Sequence, residues 1–537
     1  MKLLRVTAFV VLWATGAACA QNAAACSCDY TITESGVYDN GQLKVRAGQT
    51  VCLLAKHYDY LRFRGFVGEA GRPIRFVNCG GQVRIGVGAY NSGMQFEASR
   101  YFVLSGSGDS TSQYGIKLDQ SYPGASGLSI GALSSDCEVE RVEVAAAGFA
   151  GFLIKTDPTT EASTWRENFT MYQVSVHDNY IHDTGGEGLY IGNSFYSGVL
   201  VGSTGASTTV YPHLIRGLTV YNNRIERTGA EGIQYGCSPD AQVHHNTIAY
   251  AGINPFASNQ NNGVQISSGS GGDCFSNTIR QVGGTGITIV GHLGNSRIYN
   301  NVIHGVGQDG IFCDDRPGST PNTFMAFLNN TITRAGRDGI RLYNEINENV
   351  LINNVVAQVG GRFVVFQQGA TARLEANFLA AQASTAGFVQ DTADFRPNAC
   401  SPLIHAGLDV SAWGVVTDRM GHNRKIPYTA GAYEFMPDSV NTNATQQAQD
   451  CLRQRSAQLL VYPSPSNDLV TVMLPDDQFI EQLRVYSQSG RVVTSHQPTD
   501  RRLNPLTFSV AQLPAGTYLV EVFTSLSQTV TGRFVKL

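Results

Sequence analysis

Residues 300–318 read NNVIHGVGQDGIFCDDRPG: an Asn pair, a short branched apolar run, a Gly-rich turn and a Gly-Ile strand. The phrase returns as DNYIHDTGGEGLYI (178–191), NNRIERTGAEGIQY (222–235), SNTIRQVGGTGITI (276–289) and NNTITRAGRDGIRL (329–342). The aligned asparagines are Asn179, Asn223, Asn246, Asn277, Asn301, Asn330, Asn354 and Asn377. They fall 44, 23, 31, 24, 29, 24 and 23 residues apart, a unit of 23 or 24 residues with occasional insertions. A fixed period of this size marks a stacked-repeat protein. Each unit holds two or three short apolar alternations separated by Asn or Gly, which means strands and tight turns. The Leu framework of a leucine-rich repeat is absent. Asn tolerates left-handed backbone angles, and stacked Asn amides can hydrogen-bond from coil to coil. Gly before each Ile supplies a turn that a side chain would obstruct.

The rest of the composition agrees with an all-β chain. Of 537 residues 58 are Gly, 42% are hydrophobic and only 15% are charged, a balance that suits a turn-rich β protein. A net charge of −4 gives no reason to expect nucleic acid or an anionic membrane as partner. At the N-terminus Lys2 and Arg5 precede an apolar run and the small residues Ala18-Cys19-Ala20, the pattern of a signal peptide over residues 1–20. The run is too short for a membrane anchor, and no later segment approaches a transmembrane span. Gly16 stands where a lipid-modified Cys19 would need an aliphatic residue. Ten cysteines follow the signal peptide, an even number that favours disulfides in an exported protein. Cys26 and Cys28 form C-x-C without a His cluster, so structural cysteine is expected in place of a zinc ribbon.

With this repeat the chain resembles the right-handed parallel β-helix superfamily, which includes pectate lyases and polygalacturonases. The match is strongest over residues 174–390. Less regular opening coils precede it, and SPLIHAGLDV (401–410) and AGAYEF (430–435) look like its closing segment. The helix is therefore expected over residues 21–436. A second resemblance begins at residue 459: LLVYPSPSNDLVTVML (459–474), EQLRVYSQSGRVV (481–493) and LPAGTYLVEVF (513–523) are similar to the C-terminal sorting domain of the type IX secretion system. Strand alternations with Gly and Pro turns independently suggest a small antiparallel β-sandwich over 459–537, after a polar linker at 437–458. The resemblance implies contact with the type IX secretion machinery and a secreted or cell-surface destination. A monomer is expected.

Alternation in the Gly-Ile strand sends Ile311 and Cys313 inward and Phe312 and Asp314 outward. Aligning the coils gives an outward row of Lys117, Tyr190, Gln234, Gln265, Thr288, Phe312 and Arg341, with Lys155 on a similar face and Asp314 and Tyr343 in the next row. Insertions at 194–216, 252–262 and 314–322 gather beside this strand and could wall a cleft. Tyr190, Gln234, Gln265, Tyr343, Lys117 and Lys155 are the candidate contacts to an extended extracellular polysaccharide. Asp314, Asp315, Arg341 and Glu345, with His292 one coil earlier, form the densest polar cluster. Either Asp paired with Glu345 would satisfy the two-carboxylate requirement of glycoside hydrolysis. The Asp-Asp and Gly-His pairs are similar to those of polygalacturonases, although here Gly-His comes first. As an alternative, DDRPGSTPN is a turn-rich loop in which acids favour turn geometry. Elimination chemistry would need a base and a cation, for which Lys117, Lys155, Arg341 or His292 could serve. Opposite charge on Arg341, one coil away, would hold Asp314 ionised. No cofactor is firmly implied. Asp309 and Asp338, following Glu187 and Glu231 in one column, offer oxygen ligands for calcium, and pairing with Arg337 is the plainer account. The function expected is a lyase or hydrolase of polysaccharide, with a non-catalytic glycan-binding, adhesion or structural protein as the alternative.

Overall fold

The computed structural model describes residues 26–203 and 206–436 and, in the tail, 459–537 apart from 463, 475–477, 499–503 and 526–528. The expected signal peptide and linker lie outside the described residues. Three long sheets of 13, 12 and 12 strands run along the solenoid, and within each sheet neighbouring strands come from successive coils. Taking the coil of residues 296–314, Ser296–Tyr299 lies in the leading sheet, Val302–His304 in the middle sheet and Ile311–Asp314 in the Gly-Ile sheet. All pairing between coils in these sheets is parallel, and the repeat sets its register. Ile303 pairs with Ile279 and Ile332, and Ile311 with Ile287 and Ile340. These side chains are fully buried and stack into one continuous core.

The Asn pair divides two tasks. Asn300 takes the left-handed conformation at φ 55°, as do Asn222, Asn329 and Asn353 before their own ladder residues. Asn301 is fully buried and builds the ladder. Its Oδ1 accepts from Asn277 N–H at 3.0 Å and Asn277 Nδ2 at 3.1 Å. Its Nδ2 donates to Cys274 O at 2.9 Å and to Asn330 Oδ1 at 3.0 Å. The pattern holds from Asn179 to Asn377. The Gly of each Gly-Ile pair serves packing more than turn geometry. A Cβ on Gly310 would lie 2.4 Å from Ile332 Cγ2 and 2.6 Å from Gly339 O of the next coil.

Disulfides Cys26–Cys79 and Cys28–Cys52 staple the opening coils. Cys137, Cys237, Cys274 and Cys313 are free and buried. In the tail, Leu460–Tyr462, Leu469–Met473 and Leu506–Ser509 form one antiparallel sheet, and Ile480–Tyr486, Val492–His496, Gly516–Thr524 and Thr529–Lys536 form another. They enclose a separate core of Val470, Val472, Leu483, Val485, Val520, Val522 and Phe534. The protein is thus a parallel β-helix followed by a small antiparallel β-sandwich.

Replacing Asn301 by Ala leaves the Asn277 N–H without its acceptor inside the core. Urea denaturation should show a loss of about 1–3 kcal/mol. Unchanged stability in Ala variants of several ladder positions would refute the ladder's role.

Candidate functional site

The Gly-Ile sheet carries the outward row expected from the repeat: Tyr190, Gln234, Gln265, Thr288, Phe312 and Arg341 pair in unbroken register. Lys117 does not belong to it. Its strand, Ile116–Leu118, lies in the middle sheet, where Lys117 pairs with Glu143 at 2.5 Å. Sequence spacing misplaced it because the opening coils are irregular, and Leu153 holds the corresponding position beside Tyr190. Lys155 joins the ribbon two residues further on. Its ammonium stands 4.5 Å from the Tyr190 ring centroid and 2.9 Å from Asp157.

A hydrogen-bonded track links these side chains. Ser194 Oγ lies 3.4 Å from Tyr190 Oη and accepts from Gln234 Nε2 at 3.0 Å. Gln265 Nε2 donates to Gln234 Oε1 at 3.0 Å, and Asn262 Nδ2 donates to Gln265 Oε1 at 3.2 Å. Gln234 is only 2% exposed, so it orders the track while Tyr190 and Gln265 stay partly accessible.

Insertions flank the ribbon. The 194–216 segment forms a hairpin, Val199–Val201 with Thr208–Val210, and then Leu214–Arg216 pairs with Thr170–Tyr172. That second partner belongs to an excursion after Lys155 that repeat spacing alone did not reveal. The Tyr196 ring packs against Gly269 and Gly318, and Ser197 Oγ donates to Pro317 O at 2.5 Å. The Arg166 guanidinium sits 4.2 Å from the Tyr196 ring centroid and donates to Tyr196 O at 2.7 Å. One wall therefore spans several coils and locks onto the loop after Asp314. Beside the track, Phe256 of the 252–262 insertion contacts Phe149, which also meets Tyr190.

Asp314, Asp315 and His292 come together at the downstream end. His292 is 1% exposed, its Nε2 lies 3.4 Å from Asp315 Oδ1 without hydrogen-bond alignment, and neither ring nitrogen makes an aligned hydrogen bond. Burial lowers the pKa of His292, opposed by Asp315. Asp315 Oδ2 accepts from Ile346 N–H at 3.2 Å. Asp314 pairs with Arg316 at 3.0 Å. Burial raises its pKa against the pull of Arg316, with Asp315 adding to the rise. The expected Asp314–Arg341 pairing is therefore corrected. Arg341 Nε donates to Asp338 Oδ2 at 3.0 Å, its Nη2 bonds the same oxygen, and Nη1 donates to Tyr343 Oη at 2.7 Å. Glu345 is exposed and lies against Gly369 of the following coil, with no hydrogen bond or ion pair to Asp314 or Asp315.

The column flanking the row also resolves. Arg337 grips both oxygens of Asp309, and Asp338 receives Arg341 and the Arg362 N–H. Arginine neutralises these two acids, leaving no open carboxylate pair for calcium there. Glu187 and Glu231 have no arginine and are buried. Burial lifts their carboxyls to about 7 and about 8. Recurrence of G-x-E-G at 185–188 and 229–232 was the sequence signal for this pair.

Removing Arg341 would strand the buried Asp338 carboxylate. Arg341→Ala should cost about 3 kcal/mol in urea denaturation. Asp314→Asn, which breaks a pair with a half-exposed arginine, should shift stability by less than about 1 kcal/mol. The reverse order would refute these assignments.

Comparison with known families agrees with this architecture. The right handed beta helix region model matches residues 113–292 and 216–379, and the secretion system C-terminal sorting domain model matches 460–536. No curated protein matches at a significant level. Among solved structures, a pectate lyase aligns at TM-score 0.43 and 14% identity, covering 76% of this chain and 97% of its own. A periplasmic alginate epimerase aligns at 0.31 and 13%, covering 64% and 84%. The catalytic domain of an α-1,3-glucanase aligns at 0.35 and 12%, covering 65% and 62%. These identities are too low to transfer an activity. The chain is a right-handed parallel β-helix protein ending in a secretion-system sorting domain, which directs it through the type IX system to the cell surface or beyond.

Proposed function

We propose that this exported protein is carbohydrate-active and cleaves or binds an extracellular polysaccharide along its Gly-Ile face. The observation that carries this reading is the walled outward ribbon, with Lys155, Tyr190, Gln234 and Gln265 upstream and Asp314 and Asp315 downstream. Coils repeat about every 4.8 Å, so a sugar chain lying along the axis meets a new set of side chains with each coil it crosses. The aromatic and amide groups suit sugar faces and hydroxyls. Export through the type IX system supports the reading, because it places the groove where such polymers occur.

For hydrolysis, Asp314 is the proton donor in this reading, since burial favours its neutral form. Asp315 and the buried His292 hold its surroundings in place. For elimination, Lys155 beside Tyr190 is the cationic or basic group. Glu345, on its exposed loop, and Tyr343, held by Arg341, complete the downstream rim. A non-catalytic glycan-binding protein would use the same ribbon without forming products.

The test is incubation with plant and algal polysaccharides, followed by product and binding analysis. New reducing ends alone indicate a hydrolase, and unsaturated uronates a lyase. Binding without products indicates the non-catalytic form. Asp314→Asn should lower turnover or affinity at least tenfold, about 1.4 kcal/mol. No binding and no cleavage across the panel would refute the reading. A chain ending at Met436 should keep the glycan response, because the main solenoid core contains no tail residue, and should fail to be exported from the native host. Normal release of that shortened chain would argue against the tail as the address.

A further inference from the structure

Glu187 and Glu231 stand at equivalent turn positions of consecutive coils, held in register where Leu189 pairs with Ile233. Glu187 is 1% exposed and Glu231 is fully buried. Each keeps an Oε2 that is buried without a hydrogen-bond partner. Glu231 Oε1 accepts from Asn262 Nδ2 at 3.2 Å. Further down the same column Asp309 and Asp338 have every oxygen satisfied, so the fold has a ready way to neutralise this position and does not use it here. Two ionised carboxylates stacked on neighbouring coils repel, and an unpaired buried charge is costly. Neutral acids fit this environment.

Burial accounts for most of the rise in both groups, and Glu187 adds to that of Glu231. Lys155 is the charged group acting on Glu187, and its own charge is answered by Asp157. Asn262, which bonds Glu231 and also Gln265, is the neighbouring amide and carries no charge. Over Tyr190, Phe149 meets Phe256 of the 252–262 insertion at 5.9 Å between centroids, and Phe256 is itself 57% exposed.

Resting on the reading of the ribbon as a glycan groove, the geometry points to Glu187 and Glu231 as a proton-carrying ligand site at its upstream end. There two neutral carboxyls donate hydrogen bonds to sugar oxygens as the 252–262 insertion moves aside. The unpartnered oxygens, and the amides of Asn262, Gln265 and Gln234 that continue from Glu231 along the track, make an oxygen-rich ligand the matching chemistry. Binding is then linked to protonation, because an ionised pair has no proton to donate.

The test uses the full chain and the double variant Glu187→Gln, Glu231→Gln, which keeps shape and donors but leaves no carboxyl of the pair to titrate. Oligosaccharides of polygalacturonate, alginate and α-1,3-glucan are titrated calorimetrically between about pH 6 and about pH 9. Wild-type affinity should fall at least about tenfold across that range, while the double variant holds its own. A flat wild-type profile, or a double variant that retains the wild-type slope, would overturn the ligand site. A ligand-free arm measures stability in urea. Both acids bind protons more tightly folded than unfolded, so their contribution is full below the ordinary carboxyl range and is lost as pH rises towards about 8. The double variant should lack that loss. If the wild type lacks it too, the neutral-acid pair is refuted whatever binds. If the loss is present and no oligosaccharide binds at any pH, the glycan reading and the ligand half of this inference fall together, and the buried acid pair stands.

Discussion

Each coil in the regular part of the solenoid is tied to its neighbours by one buried asparagine side chain, and the sheets of these coils share the register of that tie. Asn301 accepts from the preceding asparagine and donates to the following one, while its second amide hydrogen reaches a carbonyl of the coil before it. A parallel stack needs this kind of fixed reference. Its strands are only three to five residues long in the regular coils, and a slip of one residue would turn every inward Ile towards solvent. The ladder and the Ile columns enforce the same alignment from two sides of each turn. Polar satisfaction and apolar packing therefore specify one register together.

This rigidity lets the outer face depart from regularity. Once Ile311 and Cys313 are fixed inward, Phe312 and Asp314 must face out, whatever the loops do. Insertions can lengthen a turn without disturbing the core, because each strand re-enters the same register on the next coil. The chain places its long excursions at the turns that border the Gly-Ile sheet. Tyr196 then finds its seat against Gly269 and Gly318, where only a residue without a side chain admits the ring. The result is a polar ribbon with fixed spacing and variable walls, an arrangement suited to polymeric ligands.

Charge along the ribbon is handled in two ways. Downstream, Arg337 and Arg341 pair with Asp309 and Asp338, and the acids there are structural. Upstream, Glu187 and Glu231 lack such partners. At the far end, Asp314 keeps only the half-exposed Arg316, and His292 has no aligned hydrogen bond. Groups that the fold leaves unsatisfied, although it satisfies their equivalents three or more coils away, are where function has the clearest physical footing.

Much of the architecture was legible in the chain itself. The spacing of Asn179 to Asn377 set the coil length, alternation set which residues face out, and the strand pattern after residue 459 marked the tail as a separate sandwich. These features are local and repeat, so each coil testifies to the next. The tertiary structure decided what repeats do not encode. Lys117 lies in the middle sheet, a placement that the opening coils, which lack the Asn marker, do not reveal by spacing. Arg341 was expected to answer Asp314, yet Asp338 lies three residues away in its own turn and takes the guanidinium first. Glu187 and Glu231 read as one more acidic column, since burial and the absence of an arginine partner depend on how distant segments fold over the turn. Register belongs to the sequence because it is a property of the repeat. Partnership and burial belong to the folded molecule because they depend on which side chains the turns, the neighbouring coils and the insertions bring within reach.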